Sequence, residues 1–361
     1  MVDTELPSHM IFELQYMGHA TRNALLGGNG STSYFNSNIN KIPVSGLYGT
    51  DSITGVNYWT TSCASGTCAV PASNYYGGYV PYKNYSTLYL IQHGSYSNYN
   101  GMVAALQKQT GRATFLANYT FSKVMGIRDG QSDNGTGDGA VVNGFNLRSN
   151  YGPLNYDHTH IFNAAYYVSL PGFRNQGTLV RQLTNGWSLS GTYQFQSGAP
   201  IQSNTAGNLN ATWTGTSAAY LLGTNGENLV PYLTCDPRYG GGKYFNAGCF
   251  ETPTTLGKNG PTVWPYIKGP AYQMADITMG RNFRVTEGQH IEFRASGFNF
   301  LNHPLQELGD GSDLKLAMSC STASDEGGCP GGGSNTNTVT DGNAAYKDGR
   351  RVIEATLKYY F

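Results

Sequence analysis

The feature that most constrains this chain is a strict two-residue alternation of apolar and polar side chains, recurring in blocks close to ten residues long. Successive side chains on an extended strand point to opposite faces, so each block makes a strand with one apolar and one polar face. The clearest block is 187–196, where Trp187, Leu189, Gly191, Tyr193 and Phe195 alternate with Ser188, Ser190, Thr192, Gln194 and Gln196. The chain's last residues repeat the pattern, with Ile353, Ala355, Leu357, Tyr359 and Phe361 set against Glu354, Thr356 and Lys358. Met10, Phe12, Leu14 and Tyr16 stand against Glu13 and Gln15, and Ala113, Phe115, Ala117, Tyr119 and Phe121 against Thr114, Asn118 and Thr120. Further rows are Phe162, Ala164, Tyr166 and Val168, then Ala275, Ile277 and Met279, then Ile291, Phe293 and Ala295. The segment 98–109 alternates less cleanly, with Met102, Ala104 and Leu106 as its apolar row.

The polar rows are made mostly of Ser, Thr, Asn and Gln. Charged residues are 12% of the chain, about half of the roughly 25% usual in soluble domains, so this is not the solvent face of an ordinary soluble sandwich. No stretch approaches the roughly 20 apolar residues of a membrane-spanning helix. A bilayer crossing must therefore be made by strands, each about half polar because alternate residues face a water-filled interior. With 22 basic and 22 acidic residues there is no basic footprint, and no nucleic-acid partner is expected.

Connection lengths test the same idea, because outer-membrane barrels join strands by short periplasmic turns and longer extracellular loops in alternation. Backward from Phe361 the connections are long (302–349), short (286–288), long (198–271), short (171–184), long (125–156) and short (110–111). Parity then places 18–97 in one extracellular loop. The expected fold is all-β, an antiparallel transmembrane β-barrel segment of about eight membrane strands with long extracellular loops.

Six cysteines fall in three close pairs, Cys63/Cys68, Cys235/Cys249 and Cys320/Cys329. All lie in connections of the same, outward side. Local loop disulfides in an oxidising compartment are the reading we adopt, although six cysteines allow 15 pairings. The opening MVDTELPSHM has neither the basic nor the apolar region of a secretory signal, so we expect the chain to be a fragment or a gene product truncated upstream of its export signal.

Few motifs carry chemistry. Asp129, Asp133 and Asp138 lie in the Gly-rich stretch RDGQSDNGTGDGA; their spacing is not that of an EF-hand, and a solvated loop is the plainer reading. His158 and His160 would share one strand face and are read as polar interface residues. No nucleophile, zinc or phosphate-loop motif is found, so no enzyme, no metal and no cofactor is expected. Glu13, Glu292, Arg294, Glu354 and Lys358 belong to the polar rows and would line the lumen. Tyr16, Tyr119, Trp187 and Tyr359 suit aromatic girdles at the membrane interfaces.

Several phrases, in order along the chain, resemble TonB-dependent receptors of the Oar-like kind: SNYNGMVAALQKQTGRATFLANYTFSKVM, NYDHTHIFNAAYYVSLPG, LTNGWSLSGTYQFQSGAPI, FNAGCFETP, ADITMGRNFRV, FRASGFNFLNHPLQ and RRVIEATLKYYF. The likeness runs from about residue 9 onward. It implies that 1–361 is the C-terminal portion of the barrel of such a receptor, in the Gram-negative outer membrane, without the plug and the N-terminal regulatory-like domain. It also implies solute uptake in the full-length form, with outer-membrane lipid, the barrel-insertion machinery and, through the missing plug, the TonB complex as partners. Tyr359 and Phe361 resemble the C-terminal signal read by that insertion machinery. Two other readings stay open: a self-contained eight-stranded barrel acting as an adhesin or structural protein, and a secreted soluble β-protein.

Overall fold

The computed structural model describes residues 1–26, 39–57, 59–60, 77–86, 88, 92–127, 146–154, 156–172, 177, 180, 184–200, 210–214, 217–224, 227, 229–238, 246–253, 255–261, 268–307, 314–320, 335–341 and 346–361. One large antiparallel sheet dominates. Its strands are β1 (Val2–Leu6), β2 (Met10–Leu26), β3 (Gln92–Lys108), β4 (Ala113–Ile127) with the short β5 (Tyr151–Pro153) on its upper end, and β6 (His160–Ser169). The connections between β7 (Trp187–Gln196) and the next strand of the large sheet hold β8 (Asn210–Thr214), helix α1 (Ala218–Leu222), β9 (Tyr232–Leu233) and β10 (Phe250–Glu251). The sheet continues through β11 (Tyr272–Arg284) and β12 (His290–Phe298). Then, beyond β13 (Leu305–Glu307), β14 (Leu314–Cys320), β15 (Asn335–Asp341) and β16 (Tyr346–Asp348), it ends in β17 (Val352–Tyr360).

The order β1-β2-β3-β4-β6-β7-β11-β12-β17 is a meander in which each strand pairs with its neighbour in the chain. All eight expected membrane strands are present, and the register lines up their apolar rows across the whole sheet. Leu14 lies opposite Ala104, Ala104 opposite Tyr119, and Tyr119 opposite Phe162. Phe162 then meets Phe195, Tyr193 meets Ala275, Met279 meets Ala295, and Ala295 meets Ala355. A slip of one residue between any two strands would throw a whole row to the wrong face. Short turns close one end, at 109–112, 170–186 and 285–289, and the four long connections leave from the other.

Two differences from the sequence reading have clear causes. β1 was not expected: VDTEL alternates too briefly to register, yet Ser8 (φ 70°) and His9 (φ 57°) turn the chain so that it pairs with β2. β2 and β3 each run 17 residues and β4 runs 15, so they climb past the ~9–11 residues a bilayer needs. Residues 18–26 and 92–97 are thus strand, not loop, and the first long connection is 27–91.

The wall has no core of its own. Of its described large apolar side chains Ile127 alone is buried, whereas Leu357 is 70% and Ile353 72% exposed. A soluble β-sandwich would press its apolar face against a second layer; here, among the described residues, no second sheet covers that face, whose side chains stay exposed or half-exposed and require lipid. The buried apolar residues sit instead in the long connections, in one cluster of Ile42, Leu47, Tyr79, Val80 and Ala219 and another of Leu221, Leu222 and Leu229.

Candidate functional site

Two regions can meet a solute: the polar face of the wall and the folded cap at its long-loop end. On the polar face, Arg294 donates from Nε to Glu292 Oε1 at 2.6 Å, and Tyr360 Oη donates to Glu292 Oε2 at 2.9 Å. Lys358 lies opposite Glu292 in register, and Glu354 accepts from Thr356 at 3.1 Å. Glu13 accepts from Gln107 Nε2 at 3.3 Å on the far side of the sheet. All five polar residues singled out in the sequence therefore share the polar face, with four of them concentrated on β12 and β17. Toward the upper end the same face opens into a cavity of about 380 Å³. His19, Tyr99, Ser122, Tyr156 and His158 are among the side chains that line it.

The cap is built by two long connections folding together. Residues 39–48 of the first pack on α1 of the third: Ser45 N–H donates to Leu222 O at 2.7 Å and Leu47 N–H to Gly223 O at 2.9 Å. Gly223 (φ 62°) ends α1 in the left-handed conformation that favours glycine. Thr224 Oγ1 donates to Ile42 O, and Tyr48 Oη contacts the carbonyls of Tyr220 (2.9 Å) and Leu221 (2.7 Å). Asn40, 3% exposed, donates from Nδ2 to Tyr82 O and Tyr85 O and accepts from Tyr82 N–H. That pinning fixes the rim of the first connection, where Tyr82 and Tyr85 stand exposed. Cys235 and Cys249 form a disulfide beside the β9–β10 pair.

The cap also holds an ionisable pair. Burial pushes the Glu227 carboxyl up to about 7, against the opposing pull of a hydrogen bond from Asn259 and the nearby Lys41. Burial likewise lowers the Lys41 ammonium to about 8. Tyr48 is pushed up to about 12, chiefly by burial. None of these residues stood out in the sequence, because what joins them is a tertiary contact between distant connections.

The histidines divide. His158 Nδ1 meets Ser197 O at 2.6 Å, whereas His160 Nδ1 meets Tyr119 Oη at 2.7 Å and its ring lies between Tyr119 and Phe121. Among the described residues no cluster of three His, Cys, Asp or Glu converges on one point. Cys63, Cys68, Cys329 and the aspartates at 129, 133 and 138 lie outside the described residues, as does the side chain of Cys320. Trp187 makes edge contacts with Phe283 and Phe293 at the short-turn end. Tyr359 stacks on Phe361 at that same end, and Tyr16, Tyr119 and Phe121 stand toward the other. The apolar rows are therefore bounded by aromatic rings at both ends, as in a membrane barrel wall.

An antiparallel meander with a lipid-requiring face, a polar face, short turns at one end and long loops at the other is the wall of a membrane β-barrel. The family model described as the outer membrane beta barrel domain matches residues 1–323, and the chain belongs to that family. Membership implies location in the outer membrane. No curated protein and no solved structure matches the chain.

Proposed function

We propose that this chain is the C-terminal part of the barrel of a TonB-dependent, Oar-like receptor, whose full-length form takes up a solute across the outer membrane of a Gram-negative bacterium. The observation that carries this reading is strand parity. β1 and β17 are the first and ninth strands of an antiparallel meander, so they run in the same direction. Joining them would make a parallel seam, whereas single-chain bacterial barrels close antiparallel with an even strand number. Open strand edges are not tolerated in a bilayer, so further strands belong between the two edges. The resemblance of seven segments in order supplies the receptor family from which those strands would come.

On this reading the protein does no covalent chemistry. The cap formed by the first and third connections meets the solute first, the cavity at the mouth receives it, and Glu13, Glu292, Arg294, Glu354 and Lys358 line the passage or face a plug. The insertion machinery reads Tyr359 and Phe361, and TonB acts through the plug. The self-contained eight-stranded barrel is the second reading; it requires the five residues of β1 to leave the sheet so that β2 meets β17. The test is the reading frame upstream of the Met1 codon. An in-frame plug with an export signal before it is the expected result. A stop codon followed by a promoter contradicts the uptake reading and leaves the small barrel.

A further inference from the structure

The cavity of about 380 Å³ on the polar face is lined from β2, β3, β4 and the first residues of β6, and from the end of the second long connection at Tyr156 and His158. Register brings its strand residues together: Thr21 lies opposite Ser97, His19 opposite Tyr99, and Tyr99 opposite Val124. Alternation gives all of them the face that carries Glu13. Gly101 shapes the floor. A Cβ there would stand 2.5 Å from Tyr99 Oη and 2.8 Å from Tyr99 Cζ, so the phenol leans along the sheet across the glycine and leaves the space above it open.

The side formed by the connection is fixed in advance. Val124 N–H donates to Asp157 Oδ1 at 2.7 Å, Ser122 N–H to Thr159 O at 3.0 Å, Leu154 N–H to Val124 O at 3.2 Å and Ser122 Oγ to His158 O at 3.2 Å. Residues 154–159 are thus stitched to the upper part of β4, and little ordering remains to oppose binding. His158 Nδ1 stands 2.6 Å from Ser197 O. A carbonyl only accepts, so Nδ1 carries the proton and Nε2 of the neutral ring is left to accept. Asp157, 2% exposed, lies next to the lining, but its carboxylate is engaged by Val124 N–H, by Thr159 Oγ1 at 3.4 Å and by Lys268 Nζ at 4.0 Å.

The lining narrows what fits. Among the described residues it offers imidazole, phenol and aliphatic hydroxyl groups with the aliphatic Val124 and Ile161, and no Asp, Glu, Lys or Arg. An ion brought into such a space would find no opposite charge to offset its desolvation. A purely apolar guest would leave hydroxyls and ring nitrogens unpaired. A neutral polyol meets both demands, with hydroxyls for the polar groups and C–H faces for the tyrosine rings. The volume lies toward the lower end of the roughly 300–1,000 Å³ of small-molecule sites, which suits a short sugar segment. We propose that this cavity is a subsite for a neutral carbohydrate. Tyr99 and Tyr156 pack against its sugar ring, and Thr21, Ser97, His19 and His158 exchange hydrogen bonds with its hydroxyls. The inference deepens the uptake reading and rests on it for the carbohydrate's being the solute.

The test titrates the full-length protein in nanodiscs calorimetrically with neutral trisaccharides of glucose, xylose, mannose and galactose, and in parallel with trigalacturonate and indole. Binding of at least one neutral trisaccharide, in preference to both controls, is expected. Binding of none, or equal binding of trigalacturonate or indole, overturns the proposal. Tyr99→Ala should weaken the bound sugar about fivefold or more, and Tyr99→Phe, which keeps the ring, should weaken it less; unchanged affinity in Tyr99→Ala overturns the site. A second measurement needs no variant: the preferred trisaccharide carrying a diazirine is photo-cross-linked to wild-type protein and the labelled peptides are mapped. Label is expected on residues 97–99 and 156–158, and label confined to other segments overturns the assignment. Uptake of the same sugar by cells with and without TonB separates this inference from the reading beneath it. Binding at the cavity without TonB-dependent import contradicts the uptake reading and sustains the subsite, whereas TonB-dependent import of another solute with no neutral sugar bound overturns the subsite alone.

Discussion

Among the described glycines of the wall strands, Gly191 is the one that an added Cβ would crowd most. It lies on the apolar row of β7, between Tyr166 and Ile277 in register. A Cβ there would stand 2.4 Å from Asp276 O and 2.6 Å from Tyr166 Oη. The Tyr166 ring covers the strand where Gly191 has no side chain, and neither backbone nor a packed ring moves aside cheaply. Gly191→Ala is therefore expected to destabilise the inserted protein by about 1–3 kcal/mol, the usual range for overpacking, measured as a fall in the urea midpoint. In the sequence Gly191 is visible only as a gap in an apolar row, and that a neighbouring ring fills the gap is decided by register. Arg281 is the opposite case: its position in the row is legible, but its stacking on Phe283 and Trp187 needs the third dimension.

At the scale of elements, the wall was readable and the cap was not. Period-2 alternation is local, so β6, β7, β12 and β17 could be placed from their own residues, and the connection lengths gave their directions. β1 escaped because five residues alternate too briefly to register, and the upper parts of β2 and β3 because alternation fades where strands leave the lipid and both faces meet water. The cap escaped for a different reason: Lys41, Ile42, Leu222 and Glu227 are distant in the chain, and nothing local marks them as partners. Its pH response follows from Glu227. The folded cap keeps this carboxyl protonated up to about pH 7, against an ordinary value of 4.5, so the folded form binds more protons than the opened one in that window. Stability from this group is thus complete below pH 4.5 and is lost as pH rises to about 7. Lys41 acts in a separate, alkaline window, its contribution lost as pH falls from 10.5 through about 8. Hydrogen exchange in residues 39–48 and 217–224 of the wild type is expected to speed up between pH 4.5 and 7 after correction for the intrinsic rate. Glu227→Gln should flatten that rise, and an unchanged slope in the variant would remove Glu227 as its source.

For the whole molecule, the account turns on what lies against each face of the sheet. Aligned apolar rows, aromatic rings at both ends, a wall without a core and the family match over residues 1–323 agree that one face belongs to lipid and the other to water. The architecture was legible in the sequence because it is written in a single period repeated eight times. What no single period carries is how the sheet is completed, which here rests on the parity of β1 and β17. The most direct test of the central claim is a nitroxide scan of β7 from 187 to 196 in the full-length protein reconstituted in bilayers, reading collision with oxygen, which partitions into lipid, and with a water-soluble nickel chelate. Oxygen access should peak at 187, 189, 191, 193 and 195 and nickel access at the five positions between, two waves of period two in opposite phase. Nickel access at both sets of positions, with no oxygen wave, would contradict the membrane wall and return the chain to the soluble β-proteins.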